Sequence, residues 1–418
     1  MPRDITRVFR NLLIVGQLFL LAILLGACSS SSDSNGAQSN ATGQDQSPAE
    51  TTGNRTKIPL TLSGDQTVPA VTGGGSGTGS LEVDEKSGEI SGSISVTGLS
   101  GAPTAAHIHM GAAGETGGIV IALEKDPNDA NLWRVPDGST LAADQLAALL
   151  AAKTYINVHT AANPAGEIRG QILPPGYRLL SASLSGENEI PPVTTTAGGK
   201  GFVTVKTSGE RDILVTLRTT GLDDATAAHI HGGFAGANGA IVLGLEKDAN
   251  DPALWRAPDG SRLEQAQLDA LLAGGAYFNV HSPAHPSGEI RGQIVAAPVR
   301  VVRSELSGAQ EVPPVTTTGT GVGYVTVDGD SGAITANLLV ADLSAAATAA
   351  HIHAGAAGSN GGIVVALEQD AANPALWKTP AGAVLDATQL HQFEDGELYF
   401  NVHTSTHPGG EIRGQITP

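Results

Sequence analysis

The chain has 418 residues, 54 of them glycine, a formal net charge of −18 and a single cysteine. An acidic surface repels phosphate backbones, so nucleic acid is not an expected partner. One cysteine excludes both a disulfide framework and a cysteine-built zinc site. Frequent glycine favours tight turns between short strands over long helices. Aromatic residues make up only 4% of the chain, so its cores must be built from Val, Ile, Leu and Ala.

Residues 1–28 read as a secretory signal: Arg3, Arg7 and Arg10 precede an apolar run from Leu12 to Leu25. Leu25-Gly26-Ala27-Cys28 follows and resembles the bacterial lipobox, in which the cysteine sulfur is diacylated and the chain is cut just before it. Cys28 is therefore the expected lipidation site, and acyl chains hold a protein to a membrane without a spanning helix. Residues 29–56 are rich in Ser, Gly, Asn, Gln and Thr and are expected to be a disordered tether. Such a tether reaches about 30 Å. Ser29 after the cysteine favours the outer membrane or cell surface, by resemblance to the lipoprotein sorting rule. The expected location is extracytoplasmic.

Beyond the tether the sequence repeats. "AHIH" ends at His109, His231 and His353, at a constant spacing of 122 residues. Trp133, Trp255 and Trp377 keep that spacing, as do "NVH" at Asn157, Asn279 and Asn401 and "GEIRGQI" at Gly166, Gly288 and Gly410. The units are domain-sized, with boundaries expected at 57–175, 176–297 and 298–418.

In the first unit, alternating runs predict strands near Ile58–Leu62, Ser80–Val83, Glu89–Thr97, Ala105–His109, Gly118–Leu123, Thr154–His159 and Glu167–Leu173. Leu141–Leu150 has helical spacing, with Ser139 or Thr140 as its cap. The expected class is all-β: three tandem Greek-key-like β-sandwich domains, each with one short inserted helix. The tryptophans are expected to pin the insertion onto the core.

Side chains alternate across a strand. His107 and His109 therefore share one face, with Ile108 on the other. Tyr155, Asn157 and His159 share a face, as do Glu167, Arg169 and Gln171. If these strands are neighbours, their polar sides gather on the outer surface. The set recurs as His229, His231, Asn279, His281, Glu289 and Arg291, and again as His351, His353, Asn401, His403, Glu411 and Arg413. Two readings stand for it. Three histidines form a facial ligand set for copper or zinc, with Glu167 ligating or orienting a histidine. Alternatively, a Glu–Arg pair with His and Asn forms a buried hydrogen-bond network that locks the sheet against the helix-bearing loop. His285 and His407 match each other but have Asn163 as their equivalent in the first unit, His391 has no counterpart, and all three are expected to be peripheral. The Asp/Asn-rich stretches such as "DPNDAN" read as turns rather than calcium loops.

"AHIHxG", the tryptophan, "NVH" and "GEIRGQI" together resemble the CHRD domain, named for chordin, in three copies from about Lys57 to Pro418. The resemblance implies a β-sandwich, often tandem and extracytoplasmic, with no general enzymatic activity. No nucleophile–base pair, phosphate loop or paired-carboxylate motif recurs in the units, so the chain is read as leaning away from an enzyme. The leading expectation is a lipid-anchored envelope protein whose repeats bind an extracytoplasmic ligand, such as a surface protein or polysaccharide, with avidity from three copies. The alternative is a metal-binding, redox-capable domain that uses the three-histidine face.

Overall fold

The structure, a computed structural model, describes residues 54–418. The expected signal segment, Cys28 and nearly all of the expected tether lie outside the described residues. The first strand already takes in Arg55 and Thr56, which the sequence had placed in the tether; they pair with Asp84 and Val83.

The first module contains β1 (Arg55–Ser63), β2 (Ser76–Asp84), β3 (Ile90–Thr97), β4 (Pro103–Met110), β5 (Ile119–Ala122), β6 (Glu124–Lys125), β7 (Leu132–Arg134), helix α1 (Ala143–Leu150), β8 (Thr154–Thr160) and β9 (Ile168–Gln171). Alternation sorts their faces. Ile58, Leu60 and Leu62 of β1, Ala106 and Ile108 of β4, and Ile156 and Val158 of β8 all point into one core. The strands pair antiparallel in the order β5-β4-β8-β9-β1-β2-β3-β7-β6. The two outermost members, β5 and β6, are halves of one chain segment separated only by Leu123. The ring therefore closes through that segment.

The second module makes the closure explicit. Its strands are β10 (Tyr177–Ser185), β11 (Gly198–Lys206), β12 (Ile213–Thr220), β13 (Ala227–Gly232), β14 (Ile241–Lys247), β15 (Leu254–Arg256), β16 (Ala276–His281) and β17 (Ile290–Gln293). They form a closed barrel in the order β10-β11-β12-β15-β14-β13-β16-β17. The single strand β14 replaces the split pair of the first module. The third module has the first module's nine-strand order, with its outer segment split at Leu367.

The modules are thus all-β as expected, but barrel-like rather than sandwiches. Closure removes the free edges that two packed sheets would leave. Two short strands, β6 and β7, complete the ring, and the sequence had left both in a loop. Trp133 lies on β7, opposite Ile94 and Lys125. It shares the core with Leu149 of α1, in keeping with a role in holding the helix. The helix begins at Ala143 rather than Leu141, and neither expected residue caps it. The Ser139 hydroxyl donates to Pro136 O at 2.7 Å, and Gln145 Oε1 accepts from Ala142 N at 2.9 Å instead.

Successive modules dock through the loop that follows "HIH". In the first module, Ala113 O accepts from the Thr216 hydroxyl, and the Glu115 carboxylate meets Arg256 at 2.5 Å. In the second, Ala235 O accepts from Asn337 Nδ2 at 2.8 Å. The matching residues of the third module, Ala356 to Asn360, are exposed. No helix among the described residues is long and apolar enough to cross a membrane.

Candidate metal centre

The three strands expected to share a polar face are neighbours in every module. β8 lies between β4 and β9, with His107 opposite Asn157, His109 opposite Tyr155, and Asn157 opposite Arg169. The second and third modules repeat this register. Ile108, Ile156, Val158 and Ile168 fill the barrel behind them.

The polar face is not an open surface. Asn157, Glu167, Arg169 and Gln171 are buried, and Arg169 is only 2% exposed. The cover is the loop of residues 111–117, and its backbone supplies the acceptors. Arg169 donates to Glu115 O at 2.5 Å, Ala112 O at 2.8 Å and Gln171 Oε1 at 3.2 Å. Its guanidinium stacks on the Tyr155 ring at 3.5 Å, and Tyr155 stacks in turn on His109 with a centroid separation of 4.9 Å. Burial pushes the Arg169 pKa down to about 10, so the charge persists at neutral pH. The loop needs glycine at Gly117, where a Cβ would come within 2.0 Å of Met110 O.

The histidines converge. In each module one nitrogen from each of three rings lies within 4.8 Å of the others: His107, His109 and His159; His229, His231 and His281; His351, His353 and His403. Their tautomers are set from behind. His109 Nδ1 lies 3.0 Å from Gly117 O, and His159 Nδ1 lies 3.0 Å from Pro164 O. A carbonyl only accepts, so both Nδ1 atoms carry hydrogen and neither Nε2 does. His109 Nε2 is buried with no partner, as are His231 Nε2 and His353 Nε2. A buried polar atom left unpaired costs about 1–3 kcal/mol, so this one calls for a ligand.

His107 Nδ1 approaches His159 Nε2 at 3.2 Å, and the equivalent pairs stand at 3.1 and 3.2 Å. Two nitrogens each ~2.0–2.1 Å from a tetrahedral metal lie roughly 3.3–3.4 Å apart. That pair is spaced for one shared cation, and the third imidazole nitrogen lies within 4.8 Å of both. Without a metal, His107 Nδ1–H donates to His159 Nε2, and a metal would take that proton's place. Burial, followed by the neighbouring imidazoles, holds His107 below the usual histidine range. Burial also holds His109 and His353 down, with Arg169 and Arg413 adding to the effect. Neutral imidazoles are the form that binds metal.

The supporting residues divide. Asn157, Asn279 and Asn401, and Arg169, Arg291 and Arg413, lie beside the triads. Glu167 does not face a histidine and makes no pair with Arg169. Its oxygens accept from Ser100 N at 2.6 Å, Ser100 Oγ at 2.5 Å, Thr160 Oγ1 at 2.5 Å and Asn163 Nδ2 at 3.1 Å. Burial alone would raise its pKa, but these donors outweigh it and hold the group at about 2. Glu411 is held at about 2 in the same way, and Glu289 is also lowered. The expectation that this glutamate ligates or orients a histidine is therefore corrected: it ties loops together, because it sits one residue before the strand and turns off its face.

Sequence reasoning missed another pair of carboxylates. Glu189 and Glu311 are 5% exposed and sit beside the second and third centres. Asn279 Nδ2 donates to Glu189 at 3.0 and 3.1 Å, and Asn401 Nδ2 donates to Glu311 at 3.2 Å. Burial pushes both to about 7, against the pull of Arg291, Arg413 and the amide donors. The 122-residue spacing was the available signal: it puts Thr67, Glu189 and Glu311 in register, five residues beyond each "LSG" leucine.

Fold and site together define a class: tandem all-β modules, each carrying a three-histidine cluster on the outside of its barrel. The CHRD domain family matches residues 58–172, 180–294 and 302–416, and the chain belongs to this family. No curated protein and no solved structure matches the chain.

Proposed function

We propose that this chain is a lipid-anchored, extracytoplasmic protein whose CHRD modules each bind one transition-metal ion, copper or zinc, at the three-histidine cluster. The observation that carries the reading is the buried, unpartnered Nε2 of His109, His231 and His353, each converging with two further imidazole nitrogens. All-imidazole donors suit zinc and copper, and the divalent stability order favours copper where both are present. Three protein ligands leave coordination positions for a partner's side chain or a small ligand. A tether from acylated Cys28 would present the modules at the envelope surface, where three sites on one chain raise avidity for a repetitive ligand such as a polysaccharide or surface protein.

The test is metal analysis of tag-free protein dialysed against copper or zinc. Close to one equivalent per module is expected, falling by one with His109→Ala and by one more with His353→Ala added. A content well below one per chain, or one unchanged by both substitutions, overturns the reading. Palmitate labelling that is lost with Cys28→Ala tests the anchor separately.

A further inference from the structure

The three centres are not equivalent. In the second and third modules a carboxylate stands over a glycine beside the triad. A Cβ on Gly288 would lie 2.8 Å from Glu189 Oε1, and one on Gly410 would lie 2.7 Å from Glu311 Oε1. Each carboxylate accepts from an Asn amide and feels the charge of a buried Arg that it does not touch, and Glu311 Oε1 is left without a partner. The first module has the same glycine (Gly166), amide (Asn157) and arginine (Arg169). What it lacks is the carboxylate. Thr67 is short, and its hydroxyl is spent locally, donating to Gly64 O at 2.6 Å and accepting from Val71 N at 2.9 Å. A cavity of about 170 Å³ remains, lined by Thr67, Val68, His109, Tyr155, Asn157, His159 and Arg169 among others. His109 Nε2 and Asn157 Oδ1 are buried without partners, as are their equivalents in the other two modules, so the missing carboxylate and the space it leaves are what set the first centre apart. Glu115, in the covering loop, turns its carboxylate to Arg256 of the second module.

We propose that this cavity binds a small carboxylate anion, which takes the place that Glu189 and Glu311 fill from within their own modules. Arg169 supplies the charge, and Asn157 Nδ2, which now donates to Ala165 O at 3.1 Å, supplies its second N–H as a donor. The first module is thus the one centre open to an exogenous acid, and the other two carry a built-in plug. The inference does not rest on the metal reading, because its donors are Arg169 and Asn157, and it is tested on metal-free protein.

The experiment titrates acetate into the metal-free full chain at neutral pH and constant ionic strength, by calorimetry and by histidine and Asn side-chain NMR. One saturable site per chain is expected, with shifts at His109, Asn157 and His159 and none at the third triad. Thr67→Glu should abolish it. Glu311→Thr, which opens a second cavity, should raise the stoichiometry to two, so the inference stays testable if Thr67→Glu misfolds. No saturable binding to the wild-type chain, binding that survives Thr67→Glu in a folded protein, or a stoichiometry unmoved by Glu311→Thr overturns it.

Discussion

The first and third modules share a strand order and a histidine triad, yet they differ at both ends of the polar centre. Beside the triad, the first has Thr67 and a cavity where the third has Glu311. Above it, the loop of the first is docked on the second module, while the loop of the third is exposed. The barrel therefore fixes what is common, the imidazoles and the buried arginine. Charge balance and module contacts are set by single residues at its rim. A buried arginine can be balanced by an internal carboxylate or left to carbonyls, a tyrosine face and whatever enters from outside.

Removing the arginine should break the comparison most strongly. Arg413→Ala takes the counter-charge from Glu311 and strands the carbonyls of Ala356 and Ser359, which it now satisfies. Glu311 and Arg413 do not touch, so the cost should fall below the ~3–5 kcal/mol of a broken buried contact pair. The loss should be larger at about pH 8 than at about pH 5, where Glu311 takes up a proton. Arg169→Ala strands carbonyls but no carboxylate beside its triad, so its cost should vary less with pH. Peptide-resolved hydrogen exchange in denaturant reads each module separately. Equal pH dependence in the two modules would remove Glu311 from the account.

A gentler change sharpens the same point. The pKa of Glu311 is raised from its ordinary 4.5 to about 7. A raised acid gives stability that is complete below its unfolded value and lost as pH rises through the folded one. The third module should therefore weaken between pH 4.5 and about 7 by roughly 1–3 kcal/mol, and Glu311→Gln should flatten that slope. The first module, with Thr67, should show no such loss. At the acid end the two should agree: Glu167 and Glu411, both held at about 2, give stability above 4.5 that is lost as pH falls toward 2. Exchange-derived stability against pH checks both limbs, and a third module as flat as the first would contradict the buried carboxylate.

Much of the centre was legible because it follows from alternation. Once Ile108, Ile156 and Ile168 are committed to a core, His107, His109, Asn157, His159 and Arg169 must share the opposite face. Burial of that face stood as one of two readings, but its cover was not legible, because the cover acts through the backbone. Carbonyls of Ala112, Glu115 and Gly117 hold Arg169 and His109, and only the glycines of the loop mark it in sequence. Barrel closure was hidden for a similar reason. The two residues of β6 and three of β7 are too short to show alternation, and their pairing is decided by distant partners. Glu167 misled because it belongs to a strand-like motif but precedes the strand itself. Thr67, Glu189 and Glu311 follow a turn, where a polar residue reads as surface.

The smallest expected effect isolates the docked loop. Gly114 and Gly358 occupy matching positions with nearly the same backbone conformation, φ +83 and +80. Alanine at either pays the same left-handed penalty of about 1 kcal/mol. Their surroundings differ. A Cβ at Gly114 would meet Phe202 Cδ2 at 2.9 Å and Thr216 Oγ1 at 3.1 Å, whereas one at Gly358 meets nothing within 4 Å. The excess cost of Gly114→Ala over Gly358→Ala therefore measures overpacking at the junction, and should be about 1 kcal/mol. It should appear as faster exchange in the Phe202 and Thr216 strands as well as in the loop. Indistinguishable variants would mean that the first and second modules separate freely in solution, and that their docking contributes nothing to holding the loop over the first triad.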